Sequence, residues 1–155
     1  GAAYFGRKFG VMVFEDGISL QILCKQYVKY ETTKLCIFGL EEMARRGVKM
    51  QAIICDGRKG LFQLFADIPI QMCNFHQIKI IRKYLAKNPK MQAGKELLEH
   101  ALLLIKTGKE SFEGGLACWR AKWECFLDER KMGKRGGSGY VHKRLRSACG
   151  SLKTA

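Results

Sequence analysis

The short apolar run Ala52–Cys55 constrains the fold of this chain more than any other feature. It contains no polar residue and ends abruptly at Asp56 and Gly57, which is typical of a strand covered on both faces. In open α/β sheets, ligands and chemistry collect in the crevice outside the carboxyl ends of the strands. Asp56 is therefore a candidate site residue, although an Asp-Gly pair after a strand is also common as a plain turn.

A helix and a second strand are predicted to follow. Leu61, Leu64 and Phe65 recur at helical spacing, and Pro69 ends that pattern just before a second short predicted strand at 70–73. A strand, a helix and another strand in this order usually form a parallel unit. The second strand leads into a Cys-x-x-His motif made by Cys73 and His76.

The residues before this unit predict an antiparallel meander. Residues 4–5, 9–14 and 19–30 have strand character, and Asp16-Gly17 between the last two is a favourable hairpin turn because this pair readily adopts positive φ angles. Residues 19–30 alternate with a period of two, which is typical of a half-exposed antiparallel strand. The apolar face of that strand is predicted to carry Leu20, Ile22, Cys24, Val28 and Tyr30.

A helix is predicted between the meander and the Asp56 strand. Thr32 or Thr33 is suited to its N-cap, and Arg45-Arg46-Gly47 supplies the cations and the glycine that favour a helix C-terminus. The predicted order of the first 76 residues is therefore β-β-β-α-β-α-β. This is an α/β fold whose mixed sheet has a three-stranded antiparallel meander and two parallel strands.

Residues 77–130 have the pattern of an all-helical module. Apolar residues recur at helical spacing, Asn88-Pro89 interrupts the first helix, and Thr107 to Glu110 match a capping box at the start of a later one. A stripe on that later helix must be buried against another helix or a partner. It consists of Phe112, Leu116, Trp119, Trp123 and Phe126.

The charge of the chain favours a polyanionic partner. Lys and Arg number 28 against 14 Asp and Glu, a formal net charge of +14, and nucleic acid is the expected partner. The segment from Arg130 to the end has eight Lys or Arg and no acid, and we expect it to be flexible and to contact phosphate. No apolar run approaches the roughly 20 residues that span a bilayer, so no membrane partner and a cytoplasmic location are expected. The seven cysteines are expected to be reduced.

Taken together, these motifs resemble the ribonuclease H-like core of DDE transposases, in particular Mutator-like and related bacterial insertion-sequence transposases. The resemblance rests on ICDGRKGLF, on QMCNFH and on the flanking segments YFGRKFGVMVF and KRLRSACGSLK. It implies an incomplete catalytic core in residues 1–76, a helical insertion in 77–130, and a basic Gly-rich segment in 131–155 that leads back toward the core. It also implies that the chain is a central fragment of a longer protein.

The resemblance implies DNA transposition by two-metal phosphoryl transfer, with Mg²⁺ or Mn²⁺ as cofactor. Asp56 would be a catalytic metal ligand, supported by Cys73 and His76. The first acid of the family falls on position 1, which is Gly, and the third would lie beyond Ala155, so this chain is expected to be inactive in isolation. The implied partners are the DNA of element ends and target, in a synaptic complex of several copies, with a nucleoid-associated location in a bacterium.

Two alternatives stay open on the sequence. One is a transposase-derived nucleic-acid-binding protein without catalysis, and the other is a different ribonuclease H-like nuclease. Cys73 and His76, with Cys55 nearby, are also possible zinc ligands, but no fourth ligand is evident and zinc is not expected. The cations expected to contact DNA phosphates are Arg58, Lys59, Lys143, Arg144 and Arg146.

Overall fold

The computed structural model describes residues 2–6, 8–57, 60, 67–132 and 137–153. They form two compact units, residues 1–72 and residues 73–155. The division lies four residues before the predicted end of the core at 76, and it places the segment 131–155 in the same unit as the helical residues. The helix predicted from Leu61, Leu64 and Phe65, and the cations Arg58 and Lys59, lie outside the described residues.

The first unit opens with the predicted antiparallel meander of β1 (Ala2–Phe5), β2 (Phe9–Glu15) and β3 (Ile22–Val28). The loop between β2 and β3 is wider than predicted. Asp16 accepts hydrogen bonds from the backbone N–H groups of Ile18 and Ser19, each at 2.8 Å, and the positive φ of 60° is at Leu20, not at Gly17. The side chain of Asp16 therefore organises this loop, and the turn predicted from the Asp-Gly pair is wrong in detail.

The buried face of β3 is shorter than the sequence suggested. Cys24 and Val28 are buried as predicted, but Leu20, Ile22 and Tyr30 are all more than half exposed. The residue between Cys24 and Val28 on the same face is Gln26, whose amide atoms are buried without a hydrogen-bond partner among the described residues. The predicted alternation of β3 is thus correct, but the apolar residues at the two ends of the predicted face lie outside the buried part of the strand.

Helix α1 (Thr33–Arg45) covers this sheet and has the predicted ends. The hydroxyl of Thr32 accepts a hydrogen bond from Leu35 N at 3.3 Å, which satisfies one of the amides left free at a helix start. Arg45 is its last residue, and Gly47 follows with a φ of 83°, a left-handed conformation that suits glycine. The helix buries Cys36, Leu40 and Met43 against Met12, Cys24 and Val28 of the meander.

Two short strands, β4 (Ile53–Cys55) and β5 (Ile70–Met72), form a parallel pair in which Cys55 lies opposite Met72. The coarse prediction of a mixed α/β fold with antiparallel and parallel strands is confirmed. In the described residues, however, β1–β3 and β4–β5 are separate sheets, not one mixed sheet. The prediction that β4 is covered on both faces is also wrong: Ile53 and Cys55 are half-buried, and Ile54 is 66% exposed.

The second unit is mainly helical, as the sequence predicted. Leu102 is followed directly by one 3-10 turn, Leu103–Ile105, and a two-stranded hairpin of β6 (Arg130–Met132) and β7 (Ser138–Tyr140) precedes the last helix. The α-helices are α2 (Asn74–Leu85), α3 (Gln92–Leu102), α4 (Lys109–Lys122), α5 (Glu124–Asp128) and α6 (Lys143–Leu152).

The core of the second unit is built around the aromatic stripe predicted on α4. Phe112, Leu116 and Trp119 are buried, and the indole N–H of Trp119 donates to the carbonyl of Ala93 at 3.1 Å. The stripe continues past the end of α4, where Trp123 and Phe126 pack against the same cluster. It is therefore buried by the other helices of its own unit.

The start of α4 differs from the predicted capping box. Gly108 is the N-cap residue, and no side chain caps the helix there. The hydroxyl of Thr107 instead donates to the carbonyl of Leu103 at 2.9 Å. Thr107 completes the preceding 3-10 turn, because a threonine hydroxyl can bond backwards to the carbonyl four residues earlier.

In residues 137–153, the C-terminal segment is folded, whereas its glycines and cations predicted a flexible tail. Helix α6 buries Leu145, Ala148, Cys149 and Leu152 in the main cluster of the second unit. These residues recur at helical spacing on one face. The prediction of a flexible segment gave more weight to the many Lys and Arg residues than to this helical spacing. In the part of the chain that the structure describes, no helix is long and apolar enough to cross a membrane.

Candidate functional site

Asp56 follows β4 directly and is exposed. Gly57, the next residue, has a φ of 87°, and a Cβ there would lie 2.8 Å from Cε and 2.9 Å from Sδ of Met72 in β5. The left-handed backbone at this position favours glycine, and a larger residue would also displace the end of the Met72 side chain. The carboxylate of Asp56 has no hydrogen bond or ion pair with any described residue, so it is free to bind a cation.

Cys73 and His76 lie at the start of α2, in the second unit. Cys73 is the half-buried residue that precedes the helix, and its side chain makes no capping hydrogen bond. His76 is exposed in the first turn, with its ring edge-on to Phe75 at a centroid distance of 5.7 Å. Their neighbour Asn74 anchors the helix start by donating to the carbonyl of Leu104 at 3.3 Å.

The two-metal site implied by the resemblance does not fit the described carboxylates. Two Mg²⁺ ions about 3.5–4 Å apart need several oxygen ligands. Among the residues that the structure describes, no three His, Cys, Asp or Glu side chains are grouped so that they could hold a metal ion. Asp56 can contribute one carboxylate, which is too few to position two ions for catalysis.

The predicted DNA-contacting cations of α6 are in different situations. Lys143 and Arg144 are exposed. Arg146 is engaged inside the unit: it donates to the carbonyl of Leu127 at 3.1 Å and to Oδ1 of Asp128 at 2.5 Å, and its guanidinium lies 3.7 Å from the centre of the Tyr140 ring. Arg146 therefore stabilises the junction of α5, β7 and α6.

A second engaged group lies beside it. Nε2 of His142 is 3.1 Å from a carboxylate oxygen of Glu129, and the ring stacks on Phe126 with a centroid distance of 3.7 Å. On α3, hydrogen bonds from Lys122, Trp123 and Gln92 hold the pKa of Glu96 at about 2. Burial raises the pKa of the Cys149 thiol, which keeps it protonated and unreactive. These groups serve the packing of the second unit.

The candidate functional cations that the sequence reasoning missed lie on α2. Lys79, Arg82 and Lys83 are all exposed on this helix. A signal was present, since no Asp or Glu occurs between Asp67 and Glu96. It is weaker than the signal at the C-terminal end, where eight cations follow one another without an acid.

Comparison of the chain with protein-family models, with curated proteins and with solved structures finds no match. The function of the chain is therefore inferred from its residues and from the geometry of the two units.

Proposed function

We propose that this chain is part of a DDE-type transposase and binds DNA. The observation that carries the proposal is the order of the first unit: an antiparallel meander, a helix, and then a parallel pair of strands with a free, exposed aspartate directly after the first of the two. That is the position at which the resemblance places a catalytic carboxylate. A ribonuclease H-like core, DNA element ends as partners, a synaptic complex of several copies and a nucleoid location belong to this proposal.

The chemistry open to the described residues is limited. In a complete transposase, divalent ions activate the attacking oxygen and stabilise the leaving one. Asp56 can offer a hard oxygen ligand to one ion, and Cys73 and His76 are not hard ligands. We therefore expect this chain alone to bind DNA without cutting it.

A second candidate function is nucleic-acid binding without catalysis. It is favoured by the distribution of charge, because 18 of the 28 Lys and Arg residues but only seven of the 14 acids belong to the second unit. Most of the positive charge thus belongs to a different unit from Asp56. In this alternative, Asp56 is simply part of the turn at the end of β4.

Binding of Mn²⁺ to the isotopically labelled chain separates the two candidates. The paramagnetic ion broadens the NMR signals of amides close to it. We expect selective broadening at Asp56 and Gly57 that is lost in Asp56→Asn and kept in the control Asp67→Asn, which changes another exposed aspartate of the first unit. Broadening that is unchanged in Asp56→Asn, or that is equal at both aspartates, contradicts the transposase proposal.

Cleavage is measured in parallel with supercoiled plasmid and Mg²⁺ or Mn²⁺. No nicking is expected from the unmodified chain. Nicking that disappears in Asp56→Asn would show that the chain carries a complete catalyst and that the expectation of inactivity is wrong.

A further inference from the structure

Two segments without acidic residues meet in the second unit. Residues 68–95 contain six Lys or Arg and no Asp or Glu, and the segment from Arg130 onward contains eight and none. Helix α2 belongs to the first segment and α6 to the second. Although they are far apart in the sequence, these two helices pack against each other.

The packing is antiparallel, because contacts join opposite ends of the two helices. Near the start of α2, the buried Gln77 donates from Nε2 to the carbonyl and to Oγ of Ser151, at 2.7 and 2.9 Å. At the other end, Nη2 of Arg144 donates to the carbonyl of Lys83 at 2.6 Å. The start of α6 therefore lies beside the last turn of α2.

The two packed helices carry five exposed cations, which we call the α2–α6 basic surface; within it, Arg144 contacts the backbone of Lys83. Three are on α2 at positions i, i+3 and i+4, a spacing that places them on neighbouring positions of the helix surface. None of the five has a carboxylate partner among the described residues. The surface consists of Lys79, Arg82, Lys83, Lys143 and Arg144.

The acids that contact α6 do not neutralise this surface. Asp128 is paired with Arg146, and Glu129 is paired with His142. Elsewhere in the unit, Lys122 is paired with Glu96. The first turn of α6 also has no side-chain cap, so its free amides add to the positive potential at this end of the surface.

We propose that the α2–α6 basic surface binds the phosphate backbone of double-stranded DNA. The choice of DNA rests on the proposed function, whereas the location rests on the packing of α2 and α6. Cations that have no carboxylate partner and lie on one surface attract a polyanion, because each phosphate that they neutralise releases condensed counterions. No base-reading contact is assigned, so binding is expected to show little sequence preference.

The positions of the apolar and aromatic residues argue against two other ligands of this surface, an anionic membrane and single-stranded nucleic acid. A membrane-binding helix turns its apolar face toward the lipid, but the apolar face of α6 is buried in the core of its own unit. Single-stranded nucleic acid binds on successive exposed aromatic rings. On α2, the exposed rings of Phe75 and Tyr84 are nine residues apart in the sequence. No aromatic residue lies between Lys79 and Lys83, so the cations are not interleaved with successive rings.

The salt dependence of binding gives a quantitative test. Five phosphate contacts predict that log affinity falls by about 4.5 for each tenfold rise in salt. In the variant Lys79→Gln/Arg82→Gln/Lys83→Gln this slope should fall by about 2.7, and affinity at low salt should fall by roughly 100-fold or more. Affinity is measured by fluorescence anisotropy with a labelled duplex over a series of salt concentrations.

The matched control is Lys25→Gln/Lys34→Gln/Lys49→Gln. It removes the same charge from exposed lysines of the first unit that have no ion pair among the described residues. Its slope should stay within about one unit of the unmodified value.

Arg144 is left unchanged in the test because its hydrogen bond to Lys83 supports the packing. Circular dichroism of each variant verifies that it is folded. Should the triple variant of α2 unfold, Lys143→Gln alone is expected to lower the slope by about 0.9.

Three results would overturn the assignment of the surface: equal losses in the α2 variant and the control, tighter binding to a single strand of the same sequence, or tighter binding to vesicles that contain an anionic lipid. Asp56→Asn is expected to leave the slope unchanged. If Mn²⁺ binding at Asp56 fails while the α2 variant loses its slope, the transposase proposal fails and the DNA surface stands. If Mn²⁺ binds at Asp56 and the α2 variant behaves like the control, the transposase proposal stands and the assignment of the DNA surface fails.

Discussion

Trp119 is expected to contribute more to the stability of the second unit than the neighbouring Trp123. Its side chain is 6% exposed, and burial of about 200 Å² of indole surface at about 25 cal/mol/Å² stabilises the folded state by about 5 kcal/mol. Replacement by Phe keeps most of this area but removes one ring and the hydrogen bond to Ala93. We expect Trp119→Phe to lower the free energy of unfolding by about 2 kcal/mol.

Trp123→Phe is the matched control. The Trp123 side chain is half-buried and donates from Nε1 to Glu96 at 2.9 Å, in a place where water can replace that bond. Its loss is expected to cost about 1 kcal/mol or less. Urea unfolding followed by circular dichroism measures both variants. A cost for Trp119→Phe that is equal to or smaller than the cost for Trp123→Phe would refute the assignment of Trp119 as the centre of the core.

Two further predictions concern packing and pH. Gly39 is buried in α1, and a Cβ there would overlap the ring of Phe14. Gly39→Ala should therefore lower the free energy of unfolding by about 1–3 kcal/mol. A free energy of unfolding that is unchanged or higher would show that the Phe14 ring moves aside freely. The pKa of Glu96 is about 2 in the folded chain against an ordinary value of 4.5. Because the pKa is lower in the folded state, Glu96 contributes fully to the free energy of unfolding above about pH 4.5, and this contribution is lost as the pH falls toward 2. The temperature of thermal unfolding between pH 5 and 2 should therefore fall less steeply in Glu96→Gln than in the unmodified chain or in the control Glu113→Gln, and equal slopes in all three would contradict this role.

Local signals in the sequence were sufficient for much of the first unit. The meander follows from alternation, and the cap of α1 was predicted to be Thr32 or Thr33, because a hydroxyl at a helix start satisfies a free amide whatever the rest of the chain does. The turn after β2 was less predictable. Asp16 offered two local solutions, a tight turn with Gly17 or side-chain hydrogen bonds to Ile18 and Ser19, and the sequence does not state which has the lower free energy.

Signals that depend on distant residues were harder to interpret. Asp56 could be singled out because the apolar run stops there, but the sequence did not show that Ile54 would be exposed, since this depends on what packs against the outer face of β4. The same reason applies to α6. Its cations were visible in the sequence, but its burial depends on contacts with α2, and Arg146 is engaged because Asp128 and Tyr140 lie within reach in the folded unit.

The contact between Gln77 and Ser151 has a consequence for the order of folding. It joins the first and last helices of the second unit, 74 residues apart in the sequence, so the entropy of closing a long loop opposes its formation. Before α6 has been synthesised, the growing chain lacks Leu145, Ala148, Cys149 and Leu152, which fill the core around Ile81 and Leu97. During synthesis on a ribosome, α2–α5 would therefore have an incomplete and exposed core until α6 emerges. The second unit becomes stable only when α6 has completed that core.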